Sequence, residues 1–333
     1  MAVQLFNRSW QVFFALILGL ALFMCWDQYH WWKLRDEYAF GFIVPLFVAY
    51  VLFERWPRLT ELLSKPAEGA SPPPGSGSIL QKLLTFIAFC MVAGGLGLYL
   101  VGGLYRAMEG QNLITSNFIA VGFASLLLGG VFLYSDKALD GTTMGLGQRI
   151  NVALIFLFPA LIWMLSVPMF GAVHKAISTA LMNQVAVVVY YTFDVLGYAI
   201  VREGSVLKLP LGDVGVEDAC SGIRSLTACL FAGSFLGAVY FTAFWKKLFL
   251  VGTAMAFAFI NNILRSLYLT AYAYAKGPTG LDGHVYLFGM DLGNVHDFTG
   301  WVVLGLTVIC LLILVKLFSI ELETFPANEE QNA

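Results

Sequence analysis

Charge is the scarcest commodity in this sequence. Only 12% of its 333 residues are Asp, Glu, Lys or Arg, against about a quarter in a typical soluble domain. The 19 basic and 21 acidic side chains leave a formal charge of −2, and no basic run stands out, so nothing points to nucleic acid as a partner. Cysteine is sparse as well. The five cysteines form neither a CxxC pair nor a paired framework, so no disulfide scaffold, metal site or cofactor is expected. No small-residue cleavage site follows the opening "MAVQLFNRSW", so the first apolar stretch reads as an uncleaved span rather than a signal peptide. Internal repeats are lacking too.

Apolar residues fill the space that charge leaves. They make up 59% of the chain, with 28 Phe and 33 Gly, and this composition fits an integral membrane protein. A spanning helix needs about 20 mostly apolar residues. Windows of that kind lie near 10–26, 38–54, 82–104, 113–134, 150–170, 222–244, 248–270 and 298–319. All are expected to be helices, because an open sheet edge cannot be left in lipid. The fold class is therefore an all-α polytopic membrane protein with about eight transmembrane helices.

Two segments depart from that pattern. Residues 64–78, "SKPAEGASPPPGSGS", read as a flexible cytoplasmic linker. It divides a two-helix front, residues 1–63, from a six-helix body, residues 79–320, and an acidic cytoplasmic tail follows at 321–333. The other exception is residues 171–219, between the fifth and sixth windows. Its first part is apolar but broken by His174, Lys175, Asn183, Gln184 and Asp194, which suits a helix lying at the interface. Its second part alternates apolar and polar residues around Glu203-Gly204 and Leu211-Gly212, the pattern of a short β-hairpin segment before the sixth helix. Lys246 and Lys247 in a tight turn, with Arg55, Arg58, Lys65 and Lys82, mark cytoplasmic loops under the positive-inside rule. The 171–219 segment then faces outward.

Three chemically active side chains fall at one depth in this topology. Cys220 opens the sixth helix, Arg265 lies in the outer half of the seventh, and His296 immediately precedes the eighth. Cys25, Cys90, Cys229 and Cys310 sit in apolar runs, where cysteine is a small buried hydrophobe. Cys220 alone has polar neighbours. A helix N-terminus and a nearby cation both lower a thiol pKa, so Cys220 suits a nucleophile with His296 as general acid and base. Arg265 cannot readily lose its charge and suits an oxyanion or carbonyl contact, with Asn262 one turn earlier on the same face. Gly222 would let a substrate backbone approach closely. Each has a plainer reading: Arg224 as an arginine snorkelling to the headgroups, Glu217 and Asp218 as acids favoured at a positive helix end, Asp297 or Thr299 as a helix cap. His30 and His284 read as structural.

"ACSGIRSL", "NNILRS" and "HDFTGW", in that order and each at a membrane boundary, resemble the exosortase/archaeosortase family. "YAFGFIVPLFVAYVLFERW" is similar to that family's second helix. The resemblance implies a polytopic cysteine transpeptidase with catalytic Cys220, Arg265 and His296, supported by Glu217, Ser221, Gly222, Arg224 and Asn262. It further implies a bacterial cytoplasmic-membrane enzyme with its site on the external face. Its partners would be membrane lipid and exported proteins bearing a C-terminal motif, hydrophobic helix and basic tail. An intramembrane cysteine peptidase, or a transporter or assembly component for polysaccharide export, are the alternatives. A transporter should bury charge near mid-membrane, whereas this chain concentrates it at one rim. The recognised motif, the acceptor and the oligomeric state stay open.

Overall fold

The computed structural model describes residues 8–64, 79–215, 222–241, 243–287 and 290–323. Contacts divide the chain into two compact units, Met1–Phe170 and Gly171–Ala333. The linker expected at 64–78 lies outside the described residues beyond Ser64, as does the tail beyond Glu323.

Unit 1 is helical. It runs α1 (Arg8–Leu34), a 3-10 segment (Asp36–Ile43), α2 (Val44–Ser64), α3 (Ile79–Glu109), α4 (Leu113–Tyr134) and α5 (Leu146–Leu165). Helices α3 and α4 form a hairpin whose backbones nearly touch. A Cβ added at Gly122 would lie 2.7 Å from Tyr99 N and 2.8 Å from Gly95 O, and one at Gly129 would lie 2.8 Å from Ala88 O. Without a hydrophobic drive between helices in lipid, such small-residue seams supply van der Waals contact instead. The hairpin restarts at Asn112, whose side chain accepts from Thr115 N at 2.9 Å while Thr115 reaches back, a reciprocal cap.

A polar knot ties one end of this unit. Asp27 is fully buried and paired with Arg106, whose guanidinium also lies 3.7 Å over the Trp26 ring. Trp31 donates to Ser116 Oγ at 2.8 Å, and Trp32 donates to Ser166 O at 3.0 Å. The windows at 10–26 and 82–104 stop just short of Asp27 and Arg106, so the sequence reading leaves this ion pair unseen. Charges at span ends can pair with each other instead of paying for isolation in hydrocarbon.

Unit 2 contains α6 (Gly171–Val195), β1 (Val201–Glu203), β2 (Val206–Leu209), β3 (Gly212–Gly215), α7 (Ile223–Tyr240) and α8 (Phe244–Lys276). A 3-10 turn (Pro278–Asp282), β4 (His284–Leu287), β5 (Met290–Asn294) and α9 (Val295–Glu323) complete it. The hairpin expected before the sixth spanning window is a three-stranded antiparallel meander, β1-β2-β3. Its turns fall at Gly204 and between Leu209 and Gly212. On β2, Leu207 and Leu209 point inward and join Val185, Val189 and Phe193 of α6, Leu269 of α8 and Val295 of α9 in one apolar core. A second core joins Cys229 of α7, Leu250 and Ala254 of α8, and Leu311 and Val315 of α9.

Every one of the eight windows overlaps a helix. Among the described residues nine helices are long and apolar enough to cross a membrane, and the additional one is α6. The chain is therefore a multi-pass membrane protein. Helix α6 has two dissimilar halves: its buried residues are Val185, Ala186, Val189 and Phe193, all in the C-terminal half. His174 and Lys175 lie in the N-terminal half, which contributes no buried residue, Asn183 is at its middle, and Gln184 and Asp194 share the C-terminal half with the buried residues.

Candidate active site

The expected site residues that the structure describes lie at the start of α7, on α8 and in the first turn of α9, and α8 stands between the other two helices in the chain. On α8, Asn261, Asn262 and Ser266 are buried and Arg265 is half-buried. So many polar groups on an apolar helix need partners, since each buried polar atom left unpaired costs about 1–3 kcal/mol. Asn261 finds one by donating to Thr307 Oγ of α9 at 2.6 Å.

Asn262 and Arg265 reach in two directions. Gly222, immediately before α7, has φ 68°, a left-handed conformation that disfavours any side chain. A Cβ there would stand 2.7 Å from Asn262 Nδ2 and 3.1 Å from its Cγ. Glycine is thus required twice, by backbone angle and by the amide pressed against it. Gly222 O also accepts from Ser225 Oγ and from Leu226 N, each at 2.9 Å, which fixes the first turn of α7. Cys220 lies two residues before Gly222 in sequence and is outside the described residues, together with Glu217, Asp218 and Ser221.

On the other side, the Arg265 guanidinium packs on Gly300 of α9. A Cβ built at Gly300 would lie 3.6 Å from Nη2 and 3.7 Å from Cζ. Residues four apart on a helix share a face, so Gly300 is one turn beyond His296 on the same side of α9. The motif "HDFTGW" contains this glycine, and the spacing was the available signal that it has a packing role.

His296 belongs to the first turn of α9, which begins at Val295. The sequence reading places the histidine just ahead of the helix. The helix starts earlier because Asn294 caps it, accepting from Asp297 N at 2.7 Å. That contact corrects the expectation that Asp297 or Thr299 is the cap. Asn294 is itself held by the β4–β5 hairpin, where it pairs with His284. The His284 ring lies 2.8 Å from Asp291 Oδ2, and Gly293 N donates to Asp291 Oδ1 at 2.9 Å. Hydrogen bonding to His284, then to Gly293 N, holds the Asp291 carboxyl below its ordinary pKa. The partner of His284 lies seven residues away on the neighbouring strand, a pairing that the sequence reading did not anticipate.

Arg224 sits in the first turn of α7 and is exposed, as a headgroup contact requires. The structure therefore gathers Gly222, Asn262, Arg265 and Gly300 along one stretch of α8 and leaves Arg224 at the rim of its own helix. Among the described residues no group of three His, Cys, Asp or Glu side chains is spaced to hold a metal ion.

A family model described as transmembrane exosortase matches residues 31–313. That range covers most of the chain and includes Cys220, Arg265 and His296. No match was found among curated proteins or among solved structures.

Proposed function

The chain belongs to the transmembrane exosortase family, and from that premise we propose that it is a cysteine transpeptidase acting on exported proteins with a C-terminal sorting signal. The Cys220 thiolate attacks the scissile carbonyl and forms a tetrahedral adduct whose oxyanion faces Arg265. His296 gives a proton to the departing amine, the C–N bond breaks, and a thioester joins the protein to Cys220. An acceptor amine then attacks the thioester, His296 takes its proton, and the thiolate leaves. Acyl transfer of this kind needs a nucleophile, a proton carrier and a preorganised cation near one carbonyl.

One observation carries the reading. Asn262 abuts Gly222, two residues past Cys220, while Arg265, one turn along the same helix, abuts Gly300, one turn past His296. A snorkelling arginine would leave a helix–helix contact for the headgroups; this one is packed on the helix that bears the histidine.

The site faces the exterior in this proposal. Lys246 and Lys247 in the first turn of α8, and the basic residues from Arg55 to Lys82, lie on one side only if an even number of spans separates them. Between them stand α3, α4, α5 and α7, with α6 as the variable. The positive-inside rule is met at both places when α6 does not cross.

The test follows an exported reporter carrying such a tail in cells expressing the wild-type chain or Cys220→Ala. Wild type should shorten the reporter and add the acceptor's mass, and hydroxylamine should cleave the acyl-enzyme thioester, releasing the shortened reporter as a hydroxamate and restoring the Cys220 thiol. Cys220→Ala should do neither. Normal processing by Cys220→Ala would sink the mechanism, and a product bearing only water would make the protein a peptidase.

A further inference from the structure

At the opposite end of unit 1 from the Asp27–Arg106 knot, the first turns of α3 and α5 and the end of α4 enclose an open groove of about 490 Å³. Its mouth holds Lys82, Arg149 and Asp136, and Phe86, Phe89 and Leu133 line it further along the helices. None of these residues belongs to the candidate active site.

Arg149 is the unusual member. It is 1% exposed, yet it lines the groove. Its Nη2 donates to Phe132 O at 2.9 Å, its Nη1 lies 3.2 Å from Asp136 Oδ1, and its Cζ lies 4.3 Å over the Phe132 ring. Its Nε is buried with no hydrogen-bond partner among the described residues. A guanidinium offers five donors in a fork matched to phosphate and carboxylate, and here one edge of the fork is held while Nε is not used. Asp136 offsets only one of the two cations, so the mouth keeps a net positive charge. The partial positive N-terminal ends of α3 and α5 add to it, and the partial negative end of α4 offsets one of them.

The apolar part of the groove is equally unbalanced. Phe86 and Phe89, one and two turns beyond Lys82, are 65% and 62% exposed. A free inorganic anion would use the mouth and leave these rings idle. An amphiphile with a phosphate at one end and an acyl chain at the other satisfies both. We propose that this groove is a binding site for an anionic phospholipid, its phosphate between Lys82 and Arg149 and one acyl chain along Phe86, Phe89 and Leu133. Basic pockets between membrane helices take acidic headgroups in this manner.

The experiment measures lipid binding to the detergent-purified full chain by native mass spectrometry and by the shift in melting midpoint. Dioleoylphosphatidylglycerol, dioleoylphosphatidylcholine and inorganic phosphate are the three probes. Phosphatidylglycerol should bind more tightly than phosphatidylcholine, and phosphate should produce no shift. Because Lys82 is exposed, Lys82→Ala should fold normally and weaken phosphatidylglycerol about fivefold, the worth of one cation at an anionic lipid surface. Arg149→Lys keeps the charge, loses the fork, and should weaken the same lipid. Phe86→Ala/Phe89→Ala should weaken both lipids. Equal binding of the two lipids by wild type, or unchanged phosphatidylglycerol binding by Lys82→Ala, would overturn the proposal. A midpoint shift with inorganic phosphate equal to that with phosphatidylglycerol would overturn it as well.

Discussion

At Arg265, charge and geometry can be pulled apart. Lysine keeps the positive head but not the planar fork, so an anchor tolerates the exchange and an oxyanion contact does not. Losing one preorganised oxyanion donor typically costs on the order of 100- to 1000-fold in rate. Arg265→Lys should therefore insert normally and process a tailed substrate slower by that order, while exposed Arg224→Lys changes little. Rate normalised to membrane-inserted protein decides it, and near wild-type activity in Arg265→Lys would reduce Arg265 to an anchor. Gly222 gives a second residue-scale test. Gly222→Ala meets both a left-handed backbone, worth about 1–2 kcal/mol for a residue with a Cβ, and the Asn262 amide. Thermal unfolding in detergent should fall by at least that cost, and Gly222→Ala/Asn262→Ala should recover the steric part only. A double variant no more stable than the single one would show that the amide is not the obstacle. Gly222 was legible in the sequence as a glycine at a helix start, and Asn262 as an amide one turn before Arg265 on the same helix. Their contacts were not, because Gly222 and Asn262 are forty residues apart and nothing local records that they touch.

Among the smaller elements, the sheet before α7 and the hairpin before α9 contrast in how visible they were. Strands β2 and β3 alternate more and less buried residues, and the sheet turns at Gly204 and Gly212, each with positive φ, so period and punctuation agree there. The hairpin of β4 and β5 is shorter and carries a register shift between His284 and Tyr286. A cross-strand pair, His284–Asp291, accompanies that irregular register. Because the folded pKa of Asp291 lies below its unfolded value, its contribution is present above about pH 4, the ordinary carboxylate range, and fades as pH falls through the folded value. Hydrogen exchange of residues 284–294 should show protection retained from neutral pH down to that range and lost in stronger acid. Asp291→Asn should remove the acid step. A step that persists in Asp291→Asn would assign it to another group.

For the whole molecule, the topology turns on one helix. Eight spans were legible because long apolar runs in lipid leave the backbone no alternative to helix. Helix α6 was ambiguous for a physical reason: its buried C-terminal half reads as core and its polar N-terminal half as surface. Length and composition admit it as a span, whereas the two basic clusters agree with each other only if it lies along the interface. Single cysteines placed at Lys175 and Glu203, on a background without the native five, discriminate the two. With α6 along the external interface, an impermeant maleimide should label both in intact spheroplasts. Labelling of only one would make α6 a span and reverse the side assigned to one basic cluster.

Helix α8 also serves as a ruler. It has 33 residues, with Lys246 and Lys247 in its first turn and Lys276 in its last. From Lys247 to Arg265 the axis rises about 27 Å, close to the roughly 30 Å of a hydrocarbon core. With the lysines held at one boundary, Arg265 reaches the other, and the final turns to Lys276 stand about 16 Å clear of it. In the proposed topology the length of this single helix sets the guanidinium near the water line. A thicker bilayer would draw it under and a thinner one would lift it free. Processing rate in vesicles should therefore peak at an acyl length matched to this span and fall on either side.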